Sequence, residues 1–166
     1  AQANAYAAAA GVVTATISDQ TIAALDDLTT ASTDQLTITV ASTSATAAQL
    51  KTVGDATGLN VTATAVETVT GTATQMDTLL TDEGSSGDKI NLDADYAITI
   101  NSGTATVAQA NAYAAAAGVV TATISNGDIA DLDDLSTAST DQLTITVTST
   151  SATAAQLKTV GDATGL

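Results

Sequence analysis

The chain repeats itself, and this limits its fold more than any other feature. Residues 1–59 and 108–166 align without a gap at an offset of 107. They differ at Asp19/Asn126, Gln20/Gly127, Thr21/Asp128, Ala24/Asp131, Thr29/Ser136 and Ala41/Thr148, and match everywhere else. Repetition at a fixed period restricts a chain to architectures in which one supersecondary unit stacks on the next. So close a match reads as a tandem duplication within an array. The expected organisation is the end of a preceding unit over 1–12, one full unit over 13–119 and the start of the next over 120–166. Ala1 falls inside a helical stretch and Leu166 opens a strand, so the chain reads as a window on a longer array.

Within the unit, short runs alternate Thr with apolar residues: Thr14–Ile17, Leu36–Val40, Val61–Ala65 and Ala97–Ile100, returning as Thr121–Ile124 and Leu143–Val147. A period of two is the strand signal. It turns Ala15, Ile17, Leu36, Ile38, Val40, Val61, Ala63, Ile98 and Ile100 inward. Between these runs, apolar residues three or four apart predict helices over 20–31 (Ile22, Leu25, Leu28), 46–57 (Ala47, Leu50, Val53), 73–81 (Met76, Leu79, Leu80) and 105–117 (Val107, Ala110, Tyr113). Ser18 or Asp19, Ser44, Thr72 and Thr104 are the expected N-caps, and Gly58 and Gly118 the expected left-handed helix ends.

Coils cut at 13–35, 36–58, 59–95 and 96–119 give a period of about 23 residues, with an insertion over 81–95 that reads as a Gly/Ser loop. A strand and a helix per coil predict the α/β class and a parallel β/α solenoid. Its hand is right, because strand–helix–strand crossovers are right-handed. An all-β repeat array is the alternative. Thr content suits it, but the runs Ala7–Ala10 and Ala114–Ala117 oppose it, since Ala favours helices over strands.

Composition narrows function. There is no His, Cys or Pro, and 3 basic against 18 acidic residues leave a net charge of −15. No imidazole base, thiolate or soft-metal site is available. Such a charge repels nucleic acid and anionic membrane surfaces, and no apolar run is long enough to span a bilayer. The pairs Asp26-Asp27 and Asp133-Asp134 read as solvated helix faces. Neither a Gly-x-x-x-x-Gly-Lys loop nor a Gly-x-Ser-x-Gly elbow occurs.

Three features carry candidate sites. The insertion gathers Asp82, Glu83, Asp88, Asp93 and Asp95, oxygen ligands of the kind calcium takes, although the spacing is not that of an EF-hand. Calcium is the one cofactor the residues suggest. The outward strand positions form a candidate ladder of Thr14, Thr16, Thr37, Thr39, Thr62, Thr64, Thr99, Thr121, Thr123, Thr144 and Thr146. It resembles the threonine ranks of solenoidal ice-binding proteins, and it also suits an exposed face or lateral contact between threads. Asn60-Val-Thr62 is a glycosylation sequon. Asp19, Asp34 and Asp55 are expected as caps or turn residues, the lysines Lys51, Lys89 and Lys158 as local charge partners, and Tyr6 and Tyr113 as core residues with hydroxyls reaching water.

The run Ser44–Val53 (SATAAQLKTV) with Asn60–Thr64 (NVTAT) resembles the Thr/Ala/Asp-rich tandem repeats of giant surface and secreted proteins of cyanobacteria and other aquatic bacteria. That resemblance implies cell-surface layers, adhesion, motility or extracellular fibres, often with calcium. The Gly-Gly-x-Gly-x-Asp nonapeptides of many such proteins do not occur here. The expected role is a non-catalytic structural segment, extracellular or at the cell surface, forming a filament, stalk or layer. Its expected partners are neighbouring repeats of the same chain or identical threads, with glycans or divalent cations as further candidates. The alternative is an adhesin or an ice- or glycan-binding module that uses the Thr ladder.

Overall fold

A computed structural model describes residues 2–9, 11–83 and 89–166 of the chain. The elements run α1 (Gln2–Ala9), β1 (Thr14–Thr16), α2 (Ile22–Leu25), β2 (Gln35–Thr37), β3 (Ser44–Thr46), α3 (Ala47–Asp55), β4 (Val61–Thr62), β5 (Thr68–Thr72), α4 (Ala73–Glu83), β6 (Ile90–Asn91), β7 (Ala97–Ser102), α5 (Val107–Ala116), β8 (Val119–Thr123), α6 (Ile129–Leu132), β9 (Gln142–Thr144) and α7 (Ala154–Asp162). The fold is mixed α/β with parallel strands. The helices α3, α4, α5 and α7 rule out the all-β array.

The chain divides into two compact units. In the first, β1 pairs in parallel with β2, Thr14 opposite Gln35, and β4 pairs in parallel with β6, Val61 opposite Ile90. A parallel bridge joins Thr39 to Thr62. In the second unit, which holds Thr70–Thr72 of β5, the strands lie in the order β5-β7-β8-β9. There Ala97 stands opposite Val119 and Thr121 opposite Gln142, again in parallel. The register of β8 on β9 is that of β1 on β2, moved by the repeat offset. The two copies thus share this strand pairing and their helices, although β3 has no counterpart strand at 151–153.

The alternation holds where it was read. Leu36, Ile38, Val40, Val61, Ala63, Ile98 and Ile100 are buried, while Ala15 and Ile17 are half-buried. Three strands lie outside the expected runs, namely β3, β5 and β6. The strand β3 turns only Ala45 inward, and β5 turns Val69 and Gly71 inward, so neither repeats a large apolar residue at a period of two. The insertion is shorter than expected. Helix α4 runs on to Glu83 and β6 starts at Ile90.

Helices α3, α4 and α5 fall within two residues of their expected starts or ends, but the caps differ. Thr46 and Thr106, not Ser44 and Thr104, close α3 and α5 with a reciprocal capping box. Thr46 Oγ1 accepts the Gln49 amide at 3.1 Å and Gln49 Oε1 accepts the Thr46 amide at 3.0 Å. Threonine followed three residues later by glutamine is the overlooked signal, and Thr153-Ala-Ala-Gln156 repeats it at α7. The helix expected over 20–31 is a single turn, α2. Its first amide, Ile22 N–H, donates to Ser42 Oγ at 2.9 Å. After it, Asn4 intercepts the backbone. Asn4 Nδ2 donates to Asp27 O at 2.8 Å and its Oδ1 accepts Thr29 N–H at 2.9 Å, giving these groups partners outside a helix. Asn111 does the same to Asp134 and Ser136.

Gly58 and Gly118 do not adopt left-handed backbone; among the described residues only Gly103 does, at φ 80°. They are glycine because a Cβ would lie 2.6 Å from Ser32 O and 2.7 Å from Asp95 O. The expectation for tyrosine holds only in part. Tyr113 is fully buried, but its hydroxyl donates to Ala73 O at 2.9 Å instead of reaching water, and Tyr6 is 61% exposed.

Buried polar groups tie neighbouring segments together. Asp34 accepts the amides of Val13 at 2.7 Å and Ala31 at 2.9 Å. These two backbone donors hold its carboxyl below the usual carboxylate range, burial opposing them more weakly. Asp141 accepts the matching amides of Val120 and Ala138. Thr57 Oγ1 accepts Leu36 N–H and donates to Leu36 O, both at 2.9 Å. It serves Leu36 as a strand backbone would, just before β4 begins.

Candidate functional site

The threonine ladder comes first. Thr14, Thr16, Thr37, Thr62, Thr64, Thr123, Thr144 and Thr146 are exposed, and Thr39, Thr99 and Thr121 half-buried. Parallel pairing sets Thr16 beside Thr37, Thr39 beside Thr62, Thr99 beside Thr121 and Thr123 beside Thr144. The ranks are not pure threonine, since Thr14 meets Gln35, Thr62 meets Asn91 and Thr121 meets Gln142. Some positions thus set hydroxyl beside amide and others hydroxyl beside hydroxyl, and both kinds of group can donate and accept.

The acidic segment is less coherent. Asp82 lies 3.7 Å from Lys51 Nζ, which also binds Asp55 at 2.6 Å. Asp55, and less strongly Asp82, raise the lysine pKa above its ordinary value, with desolvation opposing. Asp93 and Asp95 are exposed ahead of β7. The Glu83 side chain and Asp88 lie outside the described residues. Among the described residues, no three acidic side chains converge as metal ligands would. Lys158 pairs with Asp162, and Lys89 Nζ donates to Thr57 O at 3.3 Å. Asn60 is exposed, as a glycan acceptor must be.

One cleft was not anticipated. It measures about 390 Å³ and opens between the start of α5 and the segment leading into α6, with Asn111, Ser125, Asn126, Asp131 and Asp134 on its walls. The clue lay in the repeat itself. Four of the differing positions (126, 127, 128 and 131) cluster at this segment, where Asn126 Nδ2 donates to Asp131 Oδ2 and Asp128 Oδ1 accepts Ala130 N–H at 3.1 Å as the cap of α6. The exchange of Ala24 for Asp131 replaces a methyl with a hydrogen-bonded carboxylate. Its visible work is to fix the lead-in to α6.

No protein family, curated protein or solved structure matches the chain. Among the described residues, no helix is long and apolar enough to cross a membrane.

Proposed function

We propose that this chain is a structural, non-catalytic segment of a long extracellular repeat protein, built as a right-handed parallel β/α solenoid and serving as a filament, stalk or cell-surface layer. One observation carries the reading. Two near-identical segments form matching strand pairs with the same parallel register, Thr14 opposite Gln35 and Thr121 opposite Gln142. A unit that reproduces itself so closely suits a protein whose product is length. The net charge of −15 keeps such threads soluble and mutually repelled unless a divalent cation bridges them. The residues available for chemistry, without imidazole or thiol, fit a mechanical role better than a catalytic one.

The test is electron microscopy of chains carrying increasing numbers of the repeat. Threads that lengthen by roughly 19 Å per unit, four coils at strand spacing, support the proposal; compact particles whose width grows with repeat number overturn it. Binding through the threonine ladder is the second reading, favoured by the stacked pairs Thr16–Thr37 and Thr123–Thr144. Ice or glycan binding that disappears with Thr16→Lys and Thr37→Lys would put it first.

A further inference from the structure

The two copies hold the same residues in different surroundings, and the difference singles out one face. In the first copy Leu50 is 0% and Val40 is 1% exposed; their counterparts Leu157 and Val147 are 50% and 38% exposed. A Cβ on Gly54 would lie 2.9 Å from Ile90 Cδ1, whereas one on Gly161 would meet nothing within 4 Å. The backbone follows suit. Thr62 N–H donates to Ile38 O at 3.1 Å and Val40 N–H donates to Thr62 O at 2.8 Å. Among the described residues, the matching Ile145 O and Val147 N–H have no such backbone partner. Lys51 reaches Asp82 as well as Asp55, while Lys158 is paired with Asp162. The groups that meet Gly54, Lys51 and the Ile38–Val40 backbone here are Ile90, Asp82 and Thr62, all within residues 61–93.

We propose that the face made by α7 and residues 145–147 is a docking surface for one occupant: a further segment with the sequence of residues 60–93, supplied by another repeat of the same kind. The inference rests on the array reading given above and adds what each repeat recognises in the next. Each feature of the face specifies a group. The glycine admits a branched apolar side chain against the helix, as Ile90 sits on Gly54. The bare strand edge calls for a residue that offers an amide and a carbonyl in turn, as Thr62 does. The ammonium of Lys158 stands where a second carboxylate belongs, as Asp82 stands near Lys51. An arbitrary apolar peptide would satisfy only Leu157 and Val147. A second copy meeting this face with β1 would bring the counterpart of β8, whose place is beside β7 and β9, and would offer neither the isoleucine nor the carboxylate.

The chain contains no cysteine, so Leu157→Cys introduces a single reporting thiol. The test compares its maleimide labelling in the 166-residue chain and in the same chain with residues 60–107 repeated after Leu166. The added segment should slow labelling about tenfold or more. Changing the appended copy of Ile90 to Asp should restore the fast rate. As a second readout, Gly161→Ala should be tolerated in the original chain and lower the Tm of the extended one. Equal labelling rates in the two chains overturn the proposal, including the case in which circular dichroism finds the added segment unfolded. Labelling in the original chain that slows with protein concentration also overturns it, because the occupant would then be a second copy. Loss of the filament reading shows instead in the micrographs, so the two failures are distinct.

Discussion

Replacing Thr57 with valine tests whether a side-chain hydroxyl stands in for a missing strand. Valine keeps the shape of threonine and removes its oxygen. That oxygen accepts Leu36 N–H and donates to Leu36 O at 2.9 Å, and accepts Leu59 N–H at 3.1 Å. Thr57 and Leu36 are both 0% exposed, so water cannot replace it. Each buried backbone group left without a partner costs about 1–3 kcal/mol, and removal of the hydroxyl itself returns part of this. A net loss of about 2–3 kcal/mol is expected, a Tm lower by roughly 4–12 °C for a chain of this size. Urea unfolding followed by circular dichroism should show a lower midpoint at unchanged slope. Thr57→Ser keeps the hydroxyl and should cost less than about 1 kcal/mol. Valine as stable as wild type, or serine worse than valine, would refute the reasoning.

Asp34→Asn should weaken the fold at neutral pH and much less in acid. The native carboxylate is held below its ordinary value of 3.8, so its contribution is complete above that pH and is lost as pH falls through the lower native value. Unfolding midpoints of variant and wild type should therefore converge as the pH falls below 3.8; a constant gap across the range would contradict it. Gly58→Ala should cost about 1–3 kcal/mol by driving a methyl onto Ser32 O, whereas Gly11→Ala, with open space around it, should be neutral or slightly stabilising in the same denaturation assay.

The repeat and the Thr–apolar alternation were enough to read a parallel α/β chain, because each depends on residue spacing alone. The single-turn α2 was not legible. Ile22, Leu25 and Leu28 do keep helical spacing, but Asn4 and Ser42, distant in sequence, claim the backbone at its two ends. Strands β3 and β5 escaped because Ala45 and Gly71 are buried without being recognisably hydrophobic. The cleft beside α6 could have been found from sequence, since the differences between the copies crowd there. Thr46 and Thr57 sit among many threonines on outward strand positions and in turns, and composition alone does not single out the cap or the buried tie.

The ties described above share a reach. Asp34 holds a residue 21 positions back, Ser42 one 20 positions back, Thr57 one 21 positions back, and Asn4 takes a carbonyl 23 positions ahead. Closing a loop of fixed size carries a fixed entropic cost, so lengthening such a chain adds closures without making any of them harder. Folding of this kind can spread from one neighbour to the next like a closing zip. A local injury would then open the turns beside it before it disturbed distant ones, and a very long chain would meet no steeper search than a short one.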